Sequence, residues 1–205
     1  MKAAAAGLRV HSGWTALVVV CVERGEPRVL HRDRVLQVKT FSFRFRQPYH
    51  TAEKMGVEQG RGFIQQVRGE ARRLAQQALR KAQKDLAKDG YALTQCGLLL
   101  ASAKPLPDLE SILASHALIH TADGELFREA WAFASQKNRM DIFRVREKEL
   151  LGKAADTLML EQNSLTTRLT ELGRAFGPPW SQDEKHAALV AWLSLCGANG
   201  RATVA

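Results

Sequence analysis

The chain has 205 residues, 45% of them hydrophobic and 25% charged, which is enough apolar material for one substantial core and excludes a disordered or low-complexity protein. Cys21, Cys96 and Cys196 are far apart and form no CxxC pair, which argues against a disulfide scaffold, a cysteine zinc site or redox work. No apolar run reaches the ~20 residues of a membrane span, and Arg9 and His11 cut short the signal-like opening MKAAAAGL, so the expected setting is cytoplasmic, with no membrane partner. The net charge of +9 is uneven: residues 1–104 carry 19 Lys/Arg against 8 Asp/Glu, and residues 105–205 carry 11 against 13. A basic half of this kind suits a polyanion, with DNA or RNA as the expected partner.

Taken in order, Leu8 to Val22 ends in the β-branched run ALVVVCV, the composition of a central buried strand. A turn at Glu23–Pro27 leads to Arg28–Lys39, a second strand paired antiparallel to the first. Thr40 to Arg46, TFSFRFR, alternates between Phe41, Phe43 and Phe45 on one side and Ser42, Arg44 and Arg46 on the other. It reads as a third strand or a continuation of the second, with a basic outer face. Gln47–Gln59 is irregular, opening on the aromatic segment Pro48-Tyr49-His50.

From Arg61 to Lys88 the spacing predicts a long helix, with Phe63, Val67, Leu74, Ala78 and Leu86 as apolar positions. Its Arg61, Arg68, Arg72, Arg73, Arg80, Lys81, Lys84 and Lys88 form either a solvated face or a set of phosphate contacts. Asp89-Gly90 closes that helix, Tyr91–Ala101 is a strand ending in an apolar run, and Ser102–Pro107 is a loop.

Ser115 then caps a helix running through SHALIHTADGELFREAW to Gln136-Lys137-Asn138. At about 100° per residue, His116, His120, Asp123 and Phe127 share one edge of its core face, whereas Glu125 and Thr121 lie about 140–180° away from His116. Gly124 is a place where the helix could break. Imidazoles at i and i+4 can converge on one ion, with Asp183 as a further ligand; the alternative is two hydrogen-bonded histidines at a helix edge.

Met140–Val145 is a short strand, and Arg146-Glu147-Lys148-Glu149 opens helical pieces that run to Leu172. Gly173–Trp180 is a break. Ser181 and Glu184 then form an S-x-x-E capping box for a last helix. Residues 1–197 read as a single domain and 198–205 as a frayed tail.

Three antiparallel strands followed by alternating helices and strands define an α/β protein, a mixed five-stranded sheet with helices on both faces. This order resembles the ribonuclease H-like fold in the arrangement of RuvC-type Holliday-junction resolvases and their YqgF-like relatives. Two short stretches carry the resemblance: the glycine turn His11-Ser12-Gly13-Trp14-Thr15, and Asp183-Glu184-Lys185-His186-Ala187-Ala188, which is similar to the family's closing D-x-x-D-A pattern. The stretches HTADGELFREA and GPPWSQDEKHAA also resemble the anchors of a bacterial family of their own.

The resemblance implies acidic residues from the first strand, the middle elements and the last helix, holding two divalent ions, Mg²⁺ or Mn²⁺, about 3.5–4 Å apart. Here the first-strand acid is missing and its place falls near Arg9 or His11; the fourth-strand end offers Ser102 and Lys104. Three functions remain open. One is a nucleic-acid-binding domain with degenerate or absent catalysis, using Arg44, Arg46, Arg68, Arg72, Arg73, Arg80 and Lys81. The second is a divergent metal-dependent endonuclease using His11, Glu125, Asp183 and Glu184. The third is an interaction scaffold for a protein partner or a homodimer.

Overall fold

The computed structural model describes residues 1–101 and 105–199. Its centre is a five-stranded sheet of order β3-β2-β1-β4-β5, built from β1 (Lys2–His11), β2 (Trp14–Glu23), β3 (Glu26–Leu36), β4 (Tyr91–Leu100) and β5 (Asp141–Arg146). β1, β2 and β3 are antiparallel neighbours, whereas β4 and β5 run parallel to β1. The helices are α1 (Phe43–Arg46), α2 (Pro48–Ala52), α3 (Val57–Lys88), α4 (Leu109–Leu113), α5 (His116–Lys137), α6 (Leu150–Leu158), α7 (Gln162–Leu172) and α8 (Gln182–Asn199). No described helix is long and apolar enough to cross a membrane.

Both faces of the sheet are buried, and strand alternation divides the core in two. Ala4, Ala6, Leu8 and Val10 of β1 join Leu17, Val19 and Cys21 of β2 beneath α3 and α5. Ala5, Val18, Val20 and Leu99 face the opposite core, formed with α6, α7 and α8. α8 seats unusually close. Gly7 and Gly97 are register partners across β1 and β4, and a methyl group on Gly7 would overlap the Ala187 carbonyl of α8. One on Gly97 would lie 2.5 Å from the Val190 carbonyl oxygen.

On the other face, α5 is tied to the sheet by a buried polar chain. Trp131 Nε1 donates to Thr15 Oγ1 (2.7 Å), Thr15 donates to Gln37 Oε1 (2.8 Å), and Gln37 Nε2 donates to the Phe127 carbonyl (3.0 Å). Every polar atom in this chain has a partner, which is the condition for burying it without penalty.

Four readings of the sequence change here. The first strand is KAAAAGLRVH, and the expected Leu8–Val22 strand is two strands joined at Ser12-Gly13, with Gly13 at φ +86°. Alanine is normally depleted in strands, but here Ala5 packs toward α8 beside the close approach at Gly7, while Ala4 and Ala6 pack on the opposite face beneath α3 and α5. The segment TFSFRFR is not a strand: it contains α1, and Phe41 and Phe43 are exposed at 43% and 59%. Of the three phenylalanines, Phe45 packs against the core, so the alternation does not build a strand face. α5 continues unbroken through Gly124, beside whose Cα the Arg128 guanidinium packs. Of the expected tail, residues 198 and 199 belong to α8, while 200–205 lie outside the described residues, as do Ser102 and Lys104.

Candidate functional site

The C-terminal ends of β1, β4 and β5 meet the first turn of α8 and the first half of α5. Crevices at the carboxyl ends of parallel strands are the common ligand site of open α/β sheets. Arg9, Val10, His11, Ser12, Ala101, His120, Thr121, Gly124, Arg128 and Glu147 line an open cleft of about 520 Å³ at this end.

The acids here are already matched with cations. Asp183 Oδ1 lies 2.9 Å from His11 Nε2 and 3.7 Å from Arg9 Nε, while Arg9 Nη2 lies 2.9 Å from Glu147 Oε1. His186 Nδ1 approaches the same Glu147 oxygen at 3.5 Å, and burial pushes its imidazole below the ordinary histidine range. The Arg9 guanidinium therefore stands between the two carboxylates. Next to it, Arg128 lies 3.4 Å from Glu125; burial lowers the Arg128 value and raises that of the Glu125 carboxyl.

Of the four residues expected to be catalytic, the structure brings His11 and Asp183 into contact. Glu184 is used elsewhere: its carboxylate accepts from Ser181 N–H (2.8 Å) and Ser181 Oγ (2.5 Å), completing the capping box. Glu125 faces Arg128. Hard divalent ions such as Mg²⁺ and Mn²⁺ want several free oxygen ligands, and a fixed guanidinium among the carboxylates adds like-charge repulsion. The residues present do not fit a two-ion carboxylate centre.

Two of the three residues expected to bind a metal come together. His116 and His120 do converge, with their Nε2 atoms 3.1 Å apart, but the third residue is His50 of α2 and not Asp183, which is engaged by His11 and Arg9. The three candidate ligand atoms lie within 4.8 Å of one another. Behind them Asp123, 2% exposed, accepts from Tyr49 N–H (2.7 Å) and lies 2.5 Å from His50 Nδ1. Burial pushes the Asp123 carboxyl up, against the opposing hydrogen bonds from His50 and Tyr49. The sequence does not single out His50, Glu147 or His186, and it marks Arg9 only as the place of the missing first-strand acid. Only His50 carried a signal, its place in the aromatic Pro48-Tyr49-His50 segment.

The basic residues divide by environment. Arg44 lies over Phe63 (5.1 Å) and Arg72 over Phe133 (4.7 Å). Arg68 bonds Tyr49 Oη (3.3 Å), Arg73 bonds Gln77 (3.0 Å) and Lys81 pairs with Asp85 (2.9 Å). Arg80 is exposed on α3. Arg46 lies over Phe41 (4.5 Å), with its Nε 3.4 Å from the Ser12 carbonyl, which places it beside the β1–β2 turn. Arg34 lies 4.1 Å from the Trp14 ring, and His11 stacks on the same indole at 4.3 Å and 9°. Arg9, Arg34, Arg46 and Arg128 thus gather around one turn and one cleft, a grouping of cations brought together by the fold from four separate elements.

This architecture is the ribonuclease H-like fold in its RuvC arrangement. Among solved structures, Thermus thermophilus RuvC is similar at a TM-score of 0.54, with 11% identity over 97% of this chain and 96% of that one. T. thermophilus RuvC in complex with Holliday junction substrate is similar at 0.54, with 12% identity over 96% and 95%. No family model matches the sequence, and no curated protein matches it.

Proposed function

We propose that this chain is a RuvC-fold nucleic-acid-binding domain that grips phosphates at the carboxyl end of its sheet without Mg²⁺- or Mn²⁺-dependent strand cleavage. The observation that carries the reading is Arg9, whose guanidinium lies between Asp183 and Glu147 where a cleaving relative needs bare carboxylates. Arginine presents a planar fork of donors suited to phosphate oxygens, and Arg9 Nε is buried without a hydrogen-bond partner among the described residues. The basic half of the chain supplies the longer-range field. One similar structure is a RuvC bound to a Holliday junction, which makes branched DNA the first ligand to try.

Fluorescence anisotropy with labelled four-way junction, duplex and single-stranded DNA and RNA, at low and moderate salt, tests the reading. The expected result is binding that weakens steeply with salt and is reduced in Arg9→Ala. Binding that ignores both salt and Arg9 would remove phosphate recognition from the cleft.

A further inference from the structure

The most chemically specific feature outside the acid–arginine network is the imidazole cluster of α2 and α5. We propose that His50, His116 and His120 form a three-histidine site for one Zn²⁺ ion, with its fourth coordination position open to solvent and suited to water or an anionic oxygen. This inference stands apart from the nucleic-acid reading, since none of its ligands pairs with Asp183 or Glu147.

Four observations carry it. First, three imidazoles from two helices converge. The His50 ring centroid lies 4.4 Å from that of His120 and 5.3 Å from that of His116, and His116 and His120 are 4.5 Å apart. The interplanar angles of 69°, 89° and 82° keep the rings edge-on instead of stacked, as a shared point of convergence requires. Second, the His116–His120 nitrogen separation of 3.1 Å is close to the roughly 3.3 Å expected between two nitrogens on a tetrahedral zinc with Zn–N of about 2.0–2.1 Å.

Third, the cluster has a buried carboxylate behind it. Asp123 takes His50 Nδ1 at 2.5 Å and is itself held by the Tyr49 N–H at 2.7 Å, so the imidazole donates through Nδ1 and turns the Nε2 lone pair outward. This is the carboxylate–histidine–metal relay that fixes the tautomer and raises ligand basicity. Fourth, the ligand chemistry is selective: three imidazole nitrogens with no carboxylate oxygen among the candidate ligand atoms suit zinc and its transition-metal neighbours, not Mg²⁺ or Ca²⁺. A donor count of three leaves one position free, the arrangement of open rather than sealed zinc sites. His116 and His120 are exposed, and His120 also lines the cleft, so an exchangeable ligand can reach that position.

The test is zinc titration of the full chain against a chromophoric chelator, with Co²⁺ substitution to read geometry. The expected result is one Zn²⁺ per chain and the visible spectrum of four-coordinate Co²⁺. His116→Gln and His120→Gln, at exposed helix positions, should fold and lose the ion. His50→Gln should lose it as well, and Asp123→Asn should weaken it about 10–100-fold. X-ray absorption of the zinc-loaded wild type needs no variant and should show three imidazoles. No binding, two imidazoles, or weak binding that a folded His50→Gln retains would each overturn the proposal, the last two by reducing the site to an ordinary surface histidine pair.

Discussion

Two clusters of titratable side chains sit near the same end of the sheet and differ in what the fold has done with their charge. Around Asp183 and Glu147, each carboxylate meets the Arg9 guanidinium, with the His11 and His186 imidazoles beside them. Around His50, the single carboxylate lies behind the imidazoles, not among them, and leaves their outward nitrogens unmatched by any acid among the described residues. A binding site for a cation needs donors whose charge has not been spent, a condition the imidazole cluster meets and the carboxylates beside Arg9 do not. The first cluster therefore offers a divalent ion no unpaired carboxylate, and the second offers one three imidazole nitrogens.

The two clusters hang on different helices, which gives a way to break them separately. The largest expected effect is Gly7→Val. Its side chain collides with the backbone of α8 at Ala187, the helix that carries Asp183 and His186. Overpacking of this kind costs about 3 kcal/mol or more, and chemical denaturation should show it. Near-native zinc affinity in any folded fraction would confirm that the histidine cluster does not depend on α8.

The converse variant is Thr15→Val. It strips Trp131 Nε1 and Gln37 Oε1 of their buried partner and loosens α5, at a cost of about 2–3 kcal/mol. Equal stability of Thr15→Val and wild type would mean that the polar chain is not what holds α5.

Next is Arg9→Ala. Without the guanidinium, Asp183 and Glu147 face one another with fewer cations, so Mn²⁺ affinity by calorimetry should rise while junction affinity falls by about 1–2 kcal/mol, roughly five- to thirtyfold. A drop in DNA binding without a gain in Mn²⁺ binding would keep the phosphate role and dismiss the idea that Arg9 masks the acids.

Much of this division was legible in the residues, for reasons that also explain what was not. α3, β4, α5, β5 and α8 were visible because periodicity, Asp89-Gly90 and the Ser181–Glu184 box are local signals. β1 was hidden because Ala3–Ala6 lacks the β-branched residues that mark a strand, and its burial between helices on both faces is not a local signal. The His116–His120 pair lies within one turn of helix, so its convergence follows from helix geometry alone. His50 lies 73 residues from the Asp123 that orients it, and a short helical turn puts it there; no pattern in sequence reports that distance. Arg9 was noted as the place of a missing acid, but only its contacts to Asp183 and Glu147 make it the neutralising cation.

Smaller effects bear on the remote ends of the comparison. Arg80→Glu, on the exposed side of α3, should lower the salt slope of binding by about one if that face touches phosphate, and leave it unchanged if the cleft acts alone. Reversing Arg72 would be a poorer probe, because its guanidinium packs on Phe133. The smallest effect lies at the opposite end of β1, where Glu23 is held at about 2, below its ordinary 4.5, by hydrogen bonds from Lys2 and Tyr91. Because folding lowers this value, the stability that Glu23 contributes is present above pH 4.5 and is lost as the pH falls toward 2. Glu23→Gln should therefore flatten acid unfolding in that window without touching DNA or zinc binding.

The most direct single measurement incubates the wild-type protein with a labelled four-way junction at low and moderate salt, with Mg²⁺ or Mn²⁺, and reads binding and strand integrity from the same samples. The account predicts a salt-sensitive complex whose DNA remains intact. Metal-dependent cutting that disappears in Asp183→Asn would contradict it, because it would mean that Asp183 serves an ion that Arg9 and His11 should have displaced.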